Sequence, residues 1–185
     1  MRPSTHRQLP ALVLVTGPPG AGKTGIARGL ADGLRLPLLE KDAFKETIGG
    51  ALGIADRATS QRLGAAIFDV IADVAHDLLR RGVSVIAEGN FTARSRLVAD
   101  LPSCRVVQVH VSAAPDVLRE RLRARDAERH PVHYDAAAAD EIAERATRGA
   151  WGPLPIDGVT LSLDTTDTFP EMHRIAAEVE SALSQ

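Results

Sequence analysis

The sequence predicts an α/β protein built on a mostly parallel sheet with helices on both faces. Three observations carry that expectation. Five short β-type runs, Ala11 to Val15, Pro37 to Glu40, Val83 to Ala87, Arg105 to Val111 and Val159 to Leu163, alternate with helical patterns, as successive βαβ units do. A glycine-rich loop follows the first run directly and opens a helix. The chain has 185 residues, 44% of them hydrophobic, which suffices for a core, so residues 1–185 are expected to form a single domain.

Each element has its own signal. After the first run and the loop, Ile26, Ala27, Leu30, Ala31 and Leu34 recur at helical spacing. The second run leads into Lys41-Asp42. Between the second and third runs, Leu63, Ile67, Val70, Ile71, Val74, Leu78 and Leu79 mark a long amphipathic helix, bounded by Thr59-Ser60 before it and Gly82 after. A further helix runs from Ala114 or Pro115 into an Arg-rich stretch, another covers Ala136 to Arg148, and Pro170 to Leu183 forms the last. Gly49 to Thr59, Arg129 to Asp135 and Trp151 to Gly158 are expected to be loops.

Composition excludes several function classes. There are 22 Lys plus Arg against 24 Asp plus Glu, a net charge of −2, and no block of like charge. A nucleic-acid tail and a disordered chain are therefore disfavoured. The longest apolar runs fall far short of the roughly 20 residues that span a bilayer. The one cysteine, Cys104, cannot form an internal disulfide, which fits a reducing cytoplasm.

Gly17-Pro18-Pro19-Gly20-Ala21-Gly22-Lys23-Thr24 fits G-x-x-x-x-G-K-[ST] in the required strand-to-helix context. Glycines let backbone N–H groups curl around phosphate oxygens, the lysine reaches the β and γ phosphates, and the hydroxyl ligates Mg²⁺. Gly17, Pro19, Gly20, Ala21, Gly22, Lys23, Thr24 and the following Gly25 are the candidate nucleotide-binding residues, with Thr24 the candidate metal ligand.

This loop, the Leu39-Glu40-Lys41-Asp42 end of the second run, the Glu88-Gly89-Asn90-Phe91 end of the third and Arg121 to His133 together resemble the small P-loop kinases. That group includes chloramphenicol phosphotransferase, zeta toxin, gluconokinase and polynucleotide kinase. The resemblance implies a P-loop NTPase three-layer sandwich, with a five-stranded parallel sheet in order 2-3-1-4-5 and an Arg-rich lid at about residues 119–135. It also implies that Asp42 contacts the acceptor hydroxyl and serves as its base. On residue chemistry alone Asp42 could instead be the N-cap of a helix beginning at Ala43, and the two roles are compatible.

A Walker B strand usually ends in Asp, whereas this chain has Ala87-Glu88. The expected role of Glu88 is therefore a water-mediated link to the metal or a hydrogen bond to the acceptor; the alternative is a strand-end carboxylate satisfied by backbone donors. Phe44, Lys45, Asn90 and Phe91 complete the candidate acceptor set, although Phe91 could equally be core. Among Arg119, Arg121, Arg123, Arg125 and Arg129, helical phase against the Leu118/Leu122 stripe nominates Arg121 and Arg125 for the nucleotide. A solvated charged face is the other reading of such a run. His130 and His133 fall in the expected lid and make no zinc site. His110 is expected to be a satisfied core residue and Trp151 a loop anchor. Asp164-Thr165-Thr166 could contact adenine or simply form an Asx turn.

Together these features predict an ATP-dependent, Mg²⁺-requiring phosphotransferase acting on a hydroxyl of a small molecule, with an antibiotic-type alcohol or a sugar favoured. Lys23, Asp42, Arg121 and Arg125 are the expected catalytic residues. No nucleic-acid or membrane partner is expected, and oligomeric state is left open. A nucleoside or nucleotide kinase, an NTP-dependent switch and a zeta-type toxin are the alternatives.

Overall fold

The computed structural model describes residues 9–54, 56–124, 130, 132–133 and 138–184. Its sheet is five-stranded and parallel throughout, in the order β2-β3-β1-β4-β5, as the resemblance implies. The strands are β1 (Ala11–Thr16), β2 (Leu38–Glu40), β3 (Val85–Glu88), β4 (Arg105–Ser112) and β5 (Val159–Asp164). The helices are α1 (Lys23–Leu34), α2 (Lys41–Ala51), α3 (Arg57–Arg80), α4 (Arg96–Ala99), α5 (Pro115–Ala124), α6 (Ala139–Thr147) and α7 (Met172–Leu183).

β1 is central, and its side chains show why. Successive strand residues point to opposite faces. Val13 and Val15 join Ile26, Leu30, Ile175 and Val179 in a core beneath α1 and α7. Leu12 and Leu14 join Ile67, Ile71, Ala75 and Leu79 in a second core beneath α3. A strand apolar on both faces must be covered on both, and each buried Leu, Ile or Val contributes about 1.5–3 kcal/mol. At the edge, β5 alternates between partly buried and exposed residues.

The element boundaries differ from expectation in instructive ways. The stretch Gly49 to Thr59 is not all loop: α2 continues to Ala51, and α3 begins at Arg57. Asp56 starts α3 early because its Oδ1 accepts a hydrogen bond from Thr59 N at 2.8 Å, as an N-cap does. Asp42 is not an N-cap. α2 begins at Lys41 with Glu40 at the cap position and no side-chain cap, so Asp42 stands inside the first turn. The third strand begins at Val85, since Val83 is still closing α3 through its N–H to Leu78 O. The four-residue α4 has no strong periodic signal in the sequence.

β4 anchors the segment from 151 to 156. Gln108, fully buried, accepts Leu154 N–H at 2.7 Å and donates to Leu154 O and Thr160 Oγ1. His110 Nε2 lies 2.6 Å from Trp151 O, the satisfied interior role expected of it. Trp151 packs with Leu122, Ala139 and Ile142 under the Arg145 guanidinium. No helix among the described residues is long and apolar enough to cross a membrane.

Candidate active site

The loop between β1 and α1 is shaped by two glycines that cannot be replaced without strain. Gly17 has φ 141° and a Cβ there would run into the carbonyl oxygen of Val111. Gly20 has φ 86° and faces Leu118 O and Leu122 Cγ of α5, at 3.2 and 3.3 Å from a Cβ. The left-handed backbone and close approach both require glycine. The loop ends at the α1 N-terminus, where unpaired N–H groups and the helix dipole favour an anion.

Lys23, the first residue of α1, is buried along its stem, and its Nζ donates to Pro18 O at 2.8 Å. Thr24 follows. Across from them, Lys41, Asp42, Glu88 and Asn90 complete one pocket with Pro19, Gly20, Gly22, Lys23 and Thr24. The sheet register explains the convergence. Val15 pairs with Glu88, and Glu88 with Glu40, so the carboxyl ends of β1, β3 and β2 stand side by side where open α/β sheets bind ligands.

The electrostatics of the pocket are mixed. Asp42 Oδ1 is 2.9 Å from Lys41 Nζ, which also lies over the Phe68 ring at 5.7 Å. Glu88 is 4% exposed. Burial, reinforced by Asp42 and Glu40 and opposed by Lys23 and Lys41, pushes its carboxyl up to about 7. Glu40 is taken up by Arg28, whose Nε and Nη2 each lie 2.9 Å from one of its oxygens. This fork steadies the end of β2 immediately before Asp42. The same bond raises the Arg28 pKa.

The remaining candidates are not all in the pocket. Ala21 is buried, and its carbonyl accepts from Thr165 Oγ1 at 3.0 Å. Gly25 lies against the Phe169 ring. Arg121 donates to Thr165 Oγ1 at 3.0 Å and to Thr165 O at 2.6 Å, so α5 is tied through Thr165 to the phosphate loop. Asp164 Oδ1 accepts Thr166 N–H at 2.7 Å, an Asx turn. Arg119 and Arg123 point elsewhere, both pairing with Asp140. Arg125 and Arg129 lie outside the described residues.

Phe91 is buried in the core, edge-on to Phe68 at 5.1 Å between ring centres. Phe44 lines a separate groove with Leu38, Ala43, Thr47 and Ile48. Lys45 is buried toward α3, with Cε near Gly64. Two contributors escaped the sequence reading: Lys41, whose place beside Asp42 at a strand end was its only signal, and Arg28, whose fork to Glu40 spans two elements.

The residues present fit a nucleotide triphosphate and Mg²⁺. The fit rests on the glycine-shaped cradle, the lysine at its mouth and a hydroxyl in the first turn of α1. Among the described residues no group of three His, Cys, Asp or Glu side chains could hold a metal ion.

A family model described as an AAA domain matches residues 12–148. No curated protein matches the chain. Among solved structures, a provisionally named kinase from Chloroflexus aurantiacus is 39% identical, with 95% of this chain and 99% of that chain covered and a TM-score of 0.84. A sugar kinase from Janibacter sp. is 18% identical over 95% of this chain and 94% of that chain, at TM-score 0.61. A shikimate kinase from Bacteroides thetaiotaomicron is 19% identical over 95% and 99%, at 0.57. At such identities these last two show a shared fold alone.

Proposed function

Because the chain belongs to the AAA-domain family of P-loop kinases, we propose that it transfers the γ-phosphate of ATP to a hydroxyl group of a small polar molecule. The observation that carries this reading is the convergence of Lys23, Thr24, Asp42, Glu88 and Asn90 on one pocket. Phosphoryl transfer asks a protein for positioning and charge stabilisation, with a carboxylate to orient the nucleophile. The pocket supplies each of these.

The loop amides and Lys23 would hold the β and γ phosphates, and Thr24 would hold Mg²⁺, with Glu88 reaching it through water. When bound, the metal supplies positive charge to the phosphate oxygens. Asp42, exposed enough to meet a substrate and balanced by Lys41, accepts a hydrogen bond from the acceptor hydroxyl and takes its proton. Asn90 and Glu88 offer further partners to that hydroxyl or its neighbour. Arg121, tied through Thr165 to Ala21 of the loop, is proposed to face the nucleotide, with Arg125 as its companion. A wall so largely polar favours a sugar or similar polyol over an alcohol on a large apolar framework.

The test is transfer from γ-labelled ATP to a panel of sugars, sugar acids and hydroxylated antibiotics. Label on an acceptor supports a kinase, whereas label released only as phosphate supports a slow NTP-dependent switch. Asp42→Asn then discriminates the base. It keeps shape and hydrogen bonding but cannot take a proton, so kcat is expected to fall by about 10²-fold or more with the KM for ATP unchanged. A silent substitution would move the base role to Glu88.

A further inference from the structure

Two consecutive glycines, Gly49 and Gly50, occupy the last turn of α2, where each costs a helix about 1 kcal/mol relative to alanine. Both lie against the short segment of His130, Val132 and His133. A Cβ at Gly49 would stand 2.6 Å from Val132 Cγ2, and one at Gly50 3.2 Å from His130 Nε2. The segment presses so closely on α2 that only glycine fits at the first of these positions.

It is also bonded there. Val132 is fully buried, and its carbonyl accepts Ser60 Oγ–H from the first turn of α3 at 2.6 Å. The His133 side chain is 2% exposed, with Nε2 3.0 Å from Glu46 Oε1. Glu46 follows Asp42 by four residues, one helical turn, so both carboxylates rise from one face of α2. In sequence this segment lies between α5, which carries Arg121, and α6.

We propose that His133 and Glu46 are positioning residues for phosphoryl transfer. Their bond, together with the seat of Val132 on Gly49, clamps α2 and thereby sets where Asp42 stands opposite Lys23. α2 follows directly on the three-residue edge strand β2 and packs on the core through Phe44 and Ile48, and the clamp adds a fixed contact toward its far end. A displacement of about 1 Å at a catalytic group can cost about 10²-fold in rate. The proposal rests on the reading of Asp42 as the carboxylate that orients the nucleophile.

The experiment uses the full chain and water as the nucleophile, following labelled phosphate released from ATP without added acceptor. His133→Ala is expected to lower kcat by about tenfold or more while the KM for ATP stays unchanged. His133→Gln, which keeps an N–H donor near the position of Nε2, is expected to retain most of the rate. In the Asp42→Asn background, His133→Ala is expected to add no further loss, because it acts through Asp42. Should His133→Ala lose its fold by circular dichroism, Glu46→Ala replaces it with the same expectations.

A kcat within twofold of wild type for the alanine variant, a KM for ATP that rises with the loss, or losses that multiply with Asp42→Asn would each overturn the clamp. If Asp42→Asn alone leaves hydrolysis unchanged, the assignment of Asp42 fails and the clamp with it. A large Asp42→Asn effect beside a silent His133→Ala would overturn the clamp alone.

Discussion

Glu88 ends an interior strand with little access to water, and its raised pKa makes stability depend on pH. Its ordinary value is 4.5 and its folded value about 7. Between these the folded protein keeps a proton that the unfolded chain has released. The associated stability is fully present below pH 4.5 and is lost as pH rises through 7, about 3 kcal/mol in all. The melting temperature of the wild type is therefore expected to fall between pH 5 and 8. Glu88→Gln should flatten that slope, and parallel profiles for the two proteins would show that another group is responsible. At this scale Lys23 and Thr24 were legible because a contiguous motif places them. Phe44, Lys45 and Phe91 were not, because whether a side chain near a strand end enters the pocket or the core depends on neighbours far away in sequence.

The helix α5 illustrates how far periodicity reaches. Its phase against Leu118 and Leu122 separates Arg121 from Arg119 and Arg123, and the contacts follow: Arg121 bonds Thr165, while the other two bond Asp140. Thr165 in turn bonds Ala21 of the phosphate loop. Arg121→Ala is therefore expected to lower turnover by tenfold or more, with Arg119→Ala and Arg123→Ala within about twofold, because exposed ion pairs contribute little. Equal losses from all three in a labelled-ATP assay would show a diffuse charge effect instead. Helix ends were less legible than helix phase. Asp56 caps α3 from within the stretch expected to be loop, and Gly49 and Gly50, at the start of that stretch, belong to α2 and lie against Val132 and His130.

Across the whole molecule, the pocket proposed for phosphate joins parts that are distant in the chain, and ligand binding should be visible as stability. A ligand that binds only the folded state at 100 times its Kd adds about 2.7 kcal/mol. For a chain of this size that corresponds to a melting shift of about 5–10 °C. MgATP is expected to produce such a shift, and Lys23→Ala to remove most of it while leaving the unliganded melting temperature within about 2 °C of wild type. A full shift in that variant would remove Lys23 from the phosphate site.

The sequence by itself determined the α/β class, the alternation of strands and helices, the phosphate loop and the buried phase of α5. Each of these is a local pattern, set by backbone geometry and the spacing of apolar side chains. In α3, by contrast, the expected stripe positions Val70 and Val74 are exposed, and Ala72 and Ala75 are buried instead. Only the tertiary structure decided that Glu88 lies between Val15 and Glu40, that Arg28 steadies the strand before Asp42, and that Val132 seats on Gly49. Those relations join residues 12 to 83 positions apart. They follow from parallel register and side-chain packing, which no short-range period in the chain encodes.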